Sequence, residues 1–269
     1  MKVTILGSGN PVVDAYRGGP GIMVALGGDR LLFDCGRDTC TKIVQVGEEL
    51  KAINPLFISH FFHFDHTCDL VDLAVSGWVA GRAQPLQIYG PSGVSEFVRT
   101  LFYRTYREEI ASRAGAPRPK AGMTFDLHDI DPSGKIEAAR GQGWKVLSAP
   151  VRHGKPPVEL ALAYRLERED GKAVTISGDT ARCDALVDLA RGAETFICEC
   201  NVIEGVPRTQ LGTHMDAEQV GRVCQEAGVR QVVLYHLQPW TKPARLAAEV
   251  RKFFAGTVIV SEDGLELTI

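Results

Sequence analysis

Three histidines and an aspartate fall within seven residues of the segment SHFFHFDH, where His60, His63, Asp65 and His66 follow a short apolar run. Imidazole nitrogens and carboxylate oxygens are ligands for zinc and other divalent metals of intermediate softness. A lone histidine is usually structural, but a group of them at the end of a predicted strand places several ligands at one edge of a sheet. We therefore interpret this segment as part of a metal site.

Residues of the same types follow other predicted strands. His153 follows the strand-like run WKVLSAPV, Asp179 follows AVTIS, His236 follows QVVLY, and His214 stands in a loop before a predicted helix. Residues at strand ends on one edge of a sheet can converge on a single site. Two metal ions about 3.5–4 Å apart can share a bridging carboxylate, ionise a water and polarise a substrate oxygen. The spacing thus suits a two-metal hydrolytic centre.

The elements that would position these residues follow from periodicity and turn signals. The first half reads as strands and hairpins with one strand–helix unit, and the second half alternates strands and helices. The pattern predicts an α/β sandwich of four layers in one domain spanning residues 1–269, with two mixed sheets packed face to face and helices outside. The predicted strands of the second half lie near 123–128, 144–150, 160–167, 173–177, 194–199 and 231–235, and the helices near 183–190, 216–227 and 243–255.

Residues 92–120 differ in character from the rest of the chain. The segment is helical in pattern, aromatic and rich in arginine, and it ends in proline and glycine. It is either an insertion that covers a site as a lid or a pair of solvated amphipathic helices. Under the first alternative, Arg104 and Arg107 are candidates for binding an anionic substrate.

Bulk properties narrow the function classes. The chain has 269 residues, 45% of them hydrophobic, and a net charge of −3, whereas general nucleic-acid binders usually carry a basic excess. Seven cysteines are scattered along it, which favours reduced thiols and a cytoplasmic location. No apolar run approaches the roughly 20 residues that span a bilayer, and the first residues lack the pattern of a signal peptide.

Seven ordered motifs carry a resemblance to metallo-β-lactamase-fold hydrolases, most closely to the branch of ribonuclease Z, arylsulfatases and phosphodiesterases. The matches run nearly from end to end of the chain. In order, they are MKVTILGSGNP, RLLFDCG, SHFFHFDH, APVRHG, ISGDT, FICECN and GTHMDAEQVGRVCQEAGVRQVVLYHL.

The resemblance implies a role for each matching residue. One metal would be bound by His63, His153 and a first histidine. The second would be bound by Asp65, His66 and His236, and Asp179 would bridge the two metals. Asp65 would also orient the hydroxide. His214 would contact the charged group of the substrate or protonate the leaving oxygen. Glu199 would orient His214 or pair with an arginine. Asp34 would hold the ligands in place without binding the metals itself. Two Zn²⁺ ions per chain are expected, with Mn²⁺ or Fe²⁺ as alternatives, and the resemblance also implies a homodimer.

One coordination position departs from the family signature. The signature has one residue between its first two histidines, which would put Phe61 in the first ligand position and leave His60 one residue too early. Either an extra residue bulges and His60 remains a ligand, or Phe61 replaces the ligand and weakens the first metal site. We favour the first alternative because single-residue bulges are common beside active sites.

The resulting expectation is a hydrolase whose metal-bound hydroxide attacks an ester-type bond, preferably a phosphodiester or sulfate ester of a small anionic molecule. A lactonase or thioesterase of the same fold and a ligand-binding pseudoenzyme remain alternatives. The flavoprotein branch with two irons has a glutamate where this chain has His63, so redox chemistry ranks lower. Nucleic acid ranks low as a substrate because the sequence has no long arm rich in glycine and lysine.

Overall fold

The computed structural model describes residues 1–113, 115–154, 160–201 and 212–269. Contacts divide the chain into two compact units, each containing one seven-stranded sheet. The first unit comprises Met1–Gly7, Gly18–Ile130 and Asp263–Thr268, and the second comprises Ser8–Arg17, Asp131–Glu262 and Ile269.

The first sheet is mixed. Its strands are β1 (Lys2–Gly7), β2 (Gly21–Leu26), β3 (Asp29–Phe33), β4 (Ile53–Phe57), β5 (Leu86–Pro91), β6 (Phe125–Ile130) and β14 (Leu265–Thr268). They lie in the order β14-β1-β2-β3-β4-β5-β6. The pairs from β14 to β3 are antiparallel, and those from β3 to β6 are parallel. The parallel part brings the carboxyl ends of β3, β4, β5 and β6 to one edge.

Helices of the first unit cover one apolar core. They are α1 (Thr39–Gln45), α2 (Leu70–Val79), α3 (Val94–Thr100) and α4 (Arg107–Ser112), with a π-helical turn at Leu101–Thr105 and 3-10 turns at Leu50–Ala52, Phe64–His66 and Lys120–Met123. In α2 the buried residues Leu70, Leu73, Ala74 and Trp78 recur at helical spacing and so form one face. This face packs in the core with β-strand residues such as Leu56.

The second sheet is also mixed. Its strands are β7 (Ile136–Gly141), β8 (Trp144–Val151), β9 (Ala161–Arg168), β10 (Ala173–Ile176), β11 (Thr195–Glu199), β12 (Gln231–Tyr235) and β13 (Thr257–Val260). They lie in the order β13-β12-β11-β10-β9-β8-β7. The pairs from β7 to β10 are antiparallel, and those from β10 to β13 are parallel.

In the described part of the second unit, three helices accompany the sheet, namely α5 (Asp184–Ala190), α6 (Ala217–Ala227) and α7 (Pro243–Arg251). Helix α6 begins with a capping box, in which Asp216 and Gln219 each accept the other's backbone N–H, and it ends at Gly228 with φ 64°. Such caps satisfy backbone groups that a helix terminus leaves open. The core of this unit includes Cys198 of β11 and Cys200, which follows that strand.

The predicted fold class is confirmed, because both sheets are mixed and helices accompany each. Strand β7 was not predicted. Its sequence, IEAARG, consists mainly of small and charged residues, and the strand is only partly buried. Helix α7 ends at Arg251, four residues earlier than predicted. The single domain and the lid stay predictions. Among the residues described, no helix is long and apolar enough to cross a membrane.

Candidate metal centre

The loop after β4 gathers the histidine cluster of the first unit. His60, Asp65 and His66 are buried, and His63 is exposed just before the 3-10 turn Phe64–His66. The His60 ring centroid lies 4.1 Å from that of His66 and 5.5 Å from that of His63. The Nε2 atom of His66 lies 3.7 Å from Oδ2 of Asp65. The folded loop therefore brings four predicted ligand residues together.

Asp34 holds this loop from the end of β3. Its carboxylate accepts hydrogen bonds from the Ser59 amide at 2.7 Å, the Ser59 hydroxyl at 2.8 Å and His66 Nδ1 at 2.8 Å. A carboxylate can only accept, so the proton of His66 lies on Nδ1 and Nε2 keeps its lone pair. Fixing the ring in this way is how a supporting carboxylate prepares an imidazole for a metal.

Ser59 extends the same arrangement to His60. The Ser59 hydroxyl has one hydrogen, which it donates to Asp34, and its oxygen lies 3.1 Å from His60 Nδ1. The oxygen is therefore the acceptor of the His60 Nδ1–H group, and Nε2 of His60 also keeps its lone pair. The sequence alone did not assign Ser59 this role.

Phe61 points to the apolar core rather than to the histidines. Its ring stacks on Phe97, with centroids 5.1 Å apart and planes inclined by 19°, and it packs against the core of the first unit. His60, in contrast, is fully buried beside His66. This arrangement favours the register in which His60 occupies the irregular position and the chain carries one extra residue.

Three buried residues of the second unit face one another at strand ends. His153 follows β8, Asp179 lies in the loop after β10, and His236 follows β12 directly. The Oδ2 atom of Asp179 lies 3.8 Å from His153 Nε2 and 3.2 Å from His236 Nε2. Both imidazoles thus direct the same nitrogen at one carboxylate oxygen, a geometry that suits a shared cation.

His153 is held in the tautomer that a metal requires. Its Nδ1 lies 2.9 Å from the carbonyl oxygen of Thr213, which can only accept, so the proton is on Nδ1. Burial lowers the pKa of His153, although the nearby Asp179 opposes this effect. A lowered pKa favours the neutral imidazole, which is the form that binds metals.

The buried Glu199 carboxylate pairs with the partly buried His214 beside these residues. The Glu199 carboxylate is fully buried at the end of β11, and Oε1 accepts from His214 Nδ1 at 2.9 Å and from the Thr180 amide at 2.7 Å. Its Oε2 accepts from the Asn201 amide at 3.3 Å. The hydrogen bond to His214 is the one that the resemblance led us to expect, rather than a pairing with an arginine.

The ligand atoms of the second unit are close enough for a metal. Those of His153, Asp179 and His214 lie within 4.8 Å of one another, as do those of Glu199, His214 and His236. These side chains are histidines and carboxylates, the donor types that zinc and similar divalent metals accept. The residues present in this unit therefore fit a metal ion.

A supporting residue and a predicted ligand have unusual backbone geometry. Asp34 and His236, each directly after a strand, have φ angles of 58° and 60°. This left-handed conformation costs a residue other than glycine about 1–2 kcal/mol. It turns the chain sharply at the strand end, and such strain is typical of sites where a side chain must be aimed.

Another contact in this unit has no signal in the sequence. Gln238 Nε2 donates to Asn201 Oδ1 at 2.6 Å, and both side chains are buried. The two residues are 37 positions apart and meet only because β11 and β12 are neighbours in the sheet.

Arg104 and Arg107 are exposed in the insertion. Arg104 lies in the π-helical turn, and Arg107 begins α4, where its Nε lies 3.0 Å from Glu108. Their contact with a substrate stays a prediction.

Comparisons with known proteins agree with this arrangement. Residues 29–237 match the family described as Beta-lactamase superfamily domain. The chain belongs to the β-lactamase superfamily. A protein of this superfamily named Ribonuclease Z, from Mycobacterium sp. (strain KMS), is 32% identical over 92% of this chain and 87% of its own length. Ribonuclease Z from Mycolicibacterium gilvum (strain PYR-GCK) is 31% identical over 91% of this chain and 87% of its own length.

Several solved structures share the fold of this chain. The metallo-beta-lactamase fold protein YhfI from Bacillus subtilis aligns over 99% of both chains, with a TM-score of 0.79 and 23% identity. Human tRNase Z, short form, aligns over 100% of this chain and 99% of its own, with a TM-score of 0.77 and 20% identity. Zn²⁺-bound PqqB from Methylobacterium extorquens aligns over 100% of both chains, with a TM-score of 0.72 and 17% identity. The chain therefore has the metallo-β-lactamase fold.

Proposed function

We propose that this protein is a metal-dependent hydrolase that cleaves a phosphodiester bond in a small anionic molecule. The observation that carries the proposal is the tautomer that three imidazoles share. In His60, His66 and His153 an oxygen atom accepts the Nδ1 proton, which leaves Nε2 as the ligand atom in each. Buried histidines prepared in this way by both units support metal binding more strongly than residue types alone.

The proposed ligands follow the superfamily pattern. One Zn²⁺ ion would be held by His60, His63 and His153. The second would be held by Asp65, His66 and His236, and Asp179 would be a ligand available to both. Neutral imidazoles combined with carboxylates suit Zn²⁺, and Mn²⁺ and Fe²⁺ accept the same donors.

When bound, such a metal pair supplies Lewis acidity and an ionised water near neutral pH. The chain's own residues then have distinct tasks. Asp65 orients the attacking water. His214 contacts the charged group and donates a proton to the leaving oxygen. Glu199 keeps the other ring proton of His214 on Nδ1 by accepting it at 2.9 Å, so that Nε2 faces the substrate when the ring is protonated.

Metal analysis combined with a substrate panel tests the proposal. We expect about two Zn²⁺ ions per chain by mass spectrometry, as in other two-metal sites, and hydrolysis of bis(p-nitrophenyl) phosphate. The panel also contains an aryl sulfate, a lactone and a thioester, which cover the other ester types. Asp65→Asn is the inactive control. A protein loaded with metal but inactive on the whole panel would be a ligand-binding pseudoenzyme, and the proposal would fail.

RNA is the second candidate substrate. The low rank given to nucleic acid as a substrate rested on net charge and on the missing arm, but a relative at 32% identity over 92% of this chain is named Ribonuclease Z. That similarity favours a phosphodiester bond in either case. It leaves the size of the substrate as the difference between the two candidates.

Competition between substrates decides between them. We expect a small phosphodiester to be cleaved with a higher kcat/KM than an RNA carrying a 3′ extension, measured with the same metal-loaded protein. The reverse order, abolished in Asp65→Asn, would make RNA the substrate.

A further inference from the structure

The helical insertion is basic although the chain as a whole is acidic. Between residues 92 and 124 the sequence contains six arginine and lysine residues against three glutamates, whereas the net charge of the chain is −3. A local cationic segment on an acidic protein attracts anions to that segment specifically. The insertion is therefore the first place to look for an anion site outside the histidine clusters.

A cavity of about 230 Å³ lies within this part of the first unit. Trp78 of α2, Tyr103 of the π-helical turn, Ile110 of α4 and Met123 of the last 3-10 turn form its apolar walls. Drug-sized ligands occupy cavities of roughly 300–1,000 Å³. This cavity suits a smaller molecule, with a flat apolar body that contacts aromatic walls.

Hydrogen bonds fix the segment that carries part of the cavity wall, from Pro119 to Met123. The Trp78 indole Nε1 donates to the Pro119 carbonyl at 2.9 Å, and the Arg82 guanidinium donates to the carbonyls of Ala74 at 2.7 Å and Gly122 at 3.2 Å. A Cβ atom at Gly122 would lie 1.8 Å from the Arg82 carbonyl oxygen, so only glycine allows this approach. The segment 119–123 is thus anchored on α2, and the cavity is formed before any ligand binds.

Three cationic side chains also line the cavity, namely Arg113, Arg118 and Lys120. The Arg113 charge is already balanced, because its Nε lies 2.5 Å from Glu109. Within the described ranges, neither Arg118 nor Lys120 has a carboxylate partner. An apolar cavity with two unbalanced cations is complementary to a molecule that has an apolar body and an anionic group.

We propose that this cavity is a binding site for a small aromatic anion, with the ring between Trp78 and Tyr103 and the anionic group at Arg118 and Lys120. Its lining residues all belong to the first unit, and none of them is a proposed metal ligand. The site therefore exists whether or not the protein hydrolyses phosphodiesters. It would respond to aryl carboxylates, sulfonates or phosphates in the same way, because the recognised features are a ring and a negative charge.

Titration calorimetry with 2-naphthalenesulfonate tests the proposal directly. A ligand of this size that uses its atoms well binds with a dissociation constant between about 10 μM and 1 mM. We expect one site per chain in that range, with the same affinity in metal-loaded and chelator-treated protein. The neutral analogue 2-naphthalenemethanol should bind at least about tenfold more weakly, because it lacks the charge-assisted contacts.

Paired charge reversals separate a built site from general attraction. Arg118→Glu combined with Lys120→Glu should weaken naphthalenesulfonate binding at least about tenfold. Lys51→Glu combined with Arg99→Glu changes the charge of the first unit equally, but these exposed side chains do not line the cavity, so binding should change less than about twofold. Ala116→Phe, which fills the cavity, should abolish binding while circular dichroism confirms folding.

Three results would overturn the proposal. These are no binding by the wild-type protein at millimolar probe, equal weakening in both charge-reversal variants, and equal binding of the neutral analogue. The first would mean that the cavity is an unoccupied surface groove, the second that attraction is diffuse, and the third that the anionic group is not recognised.

Discussion

The two sheets have the same pattern of strand directions. Counted from β14 in the first sheet and from β7 in the second, three antiparallel pairs are followed by three parallel pairs. The fourth strand, where the direction changes, is β3 in the first sheet and β10 in the second. An aspartate follows both strands, Asp34 after β3 and Asp179 after β10. Asp34 supports a ligand from behind by accepting the His66 Nδ1 proton. Asp179 instead faces the Nε2 atoms of two histidines. Equivalent strand ends thus supply a supporting residue in one unit and a proposed ligand in the other.

The two units also differ in how their histidines are fixed. In the first unit one carboxylate organises the whole loop, because Asp34 holds Ser59 and His66 and Ser59 holds His60. In the second unit the acceptors are separate: the Thr213 carbonyl holds His153, and Glu199 holds His214. Substitution of Asp34 should therefore disturb every histidine that this hydrogen-bond network holds. Substitution of a single acceptor in the second unit should affect only the histidine that it holds.

Removal of Asp34 should have the largest effect. Asp34→Ala leaves three buried donors without an acceptor and should destabilise the protein by about 3–5 kcal/mol. Asp34→Asn keeps the shape but places an amide against His66 Nδ1, and should weaken metal binding about 10–100-fold. Urea unfolding of the metal-free protein and competition with a fluorescent chelator measure the two effects.

Asp38 provides the matched control for this prediction. It also has a left-handed backbone, with φ 68°, but its side chain is exposed. Asp38→Asn should change stability by less than about 0.5 kcal/mol. A similar loss in both variants would mean that the backbone turn matters rather than the hydrogen bonds of Asp34.

Substitution of His60 and Phe61 distinguishes the two registers of the irregular position. His60→Ala should reduce bound metal from about two ions per chain to about one, because a ligand is lost. Phe61→Ala should leave metal content unchanged and cost about 1–2 kcal/mol, less than the roughly 3–5 kcal/mol of a fully buried phenylalanine. Mass spectrometry and denaturant unfolding give both values. Two ions bound to His60→Ala would exclude His60 as an essential ligand.

Glu199→Gln should damage a single function in the second unit. The amide keeps the shape but no longer holds the His214 proton as a carboxylate does, and kcat should fall roughly 10–100-fold. Metal content should stay at the wild-type value, measured on the same sample. Glu194→Gln, which alters an exposed partner of Arg230, is the control and should retain full activity. Loss of metal in Glu199→Gln would instead make Glu199 a support for ligands.

The smallest effect is expected for the pair Asn201 and Gln238. Their hydrogen bond joins the ends of β11 and β12 near Glu199 and His236. A double-mutant cycle with Asn201→Ala and Gln238→Ala should give a coupling energy of about 1 kcal/mol in unfolding experiments. A coupling near zero would show that the two strand ends are held independently.

Much of the site follows from the sequence because its residue types are uncommon together. The segment from His60 to His66 has four potential ligands in seven positions, and strand ends beside His153, Asp179 and His236 repeat the pattern. The mixed sheets follow from the alternation of strands and helices along the chain. Strand β7 could not be predicted in the same way, since its half-buried residues IEAARG lack an apolar period.

The sequence by itself determined the ligand types, their order along the chain and the fold class, because these depend on local residue chemistry and periodicity. Tertiary structure decided which nitrogen of His66 and of His153 is protonated, since the acceptors Asp34 and Thr213 lie 32 and 60 positions away along the chain. It also decided that Phe61 packs on Phe97 while His60 lies beside His66. A shift of one residue along a loop has no local signature in the sequence. Packing against the core decides which of the two rings, Phe61 or His60, lies beside His66.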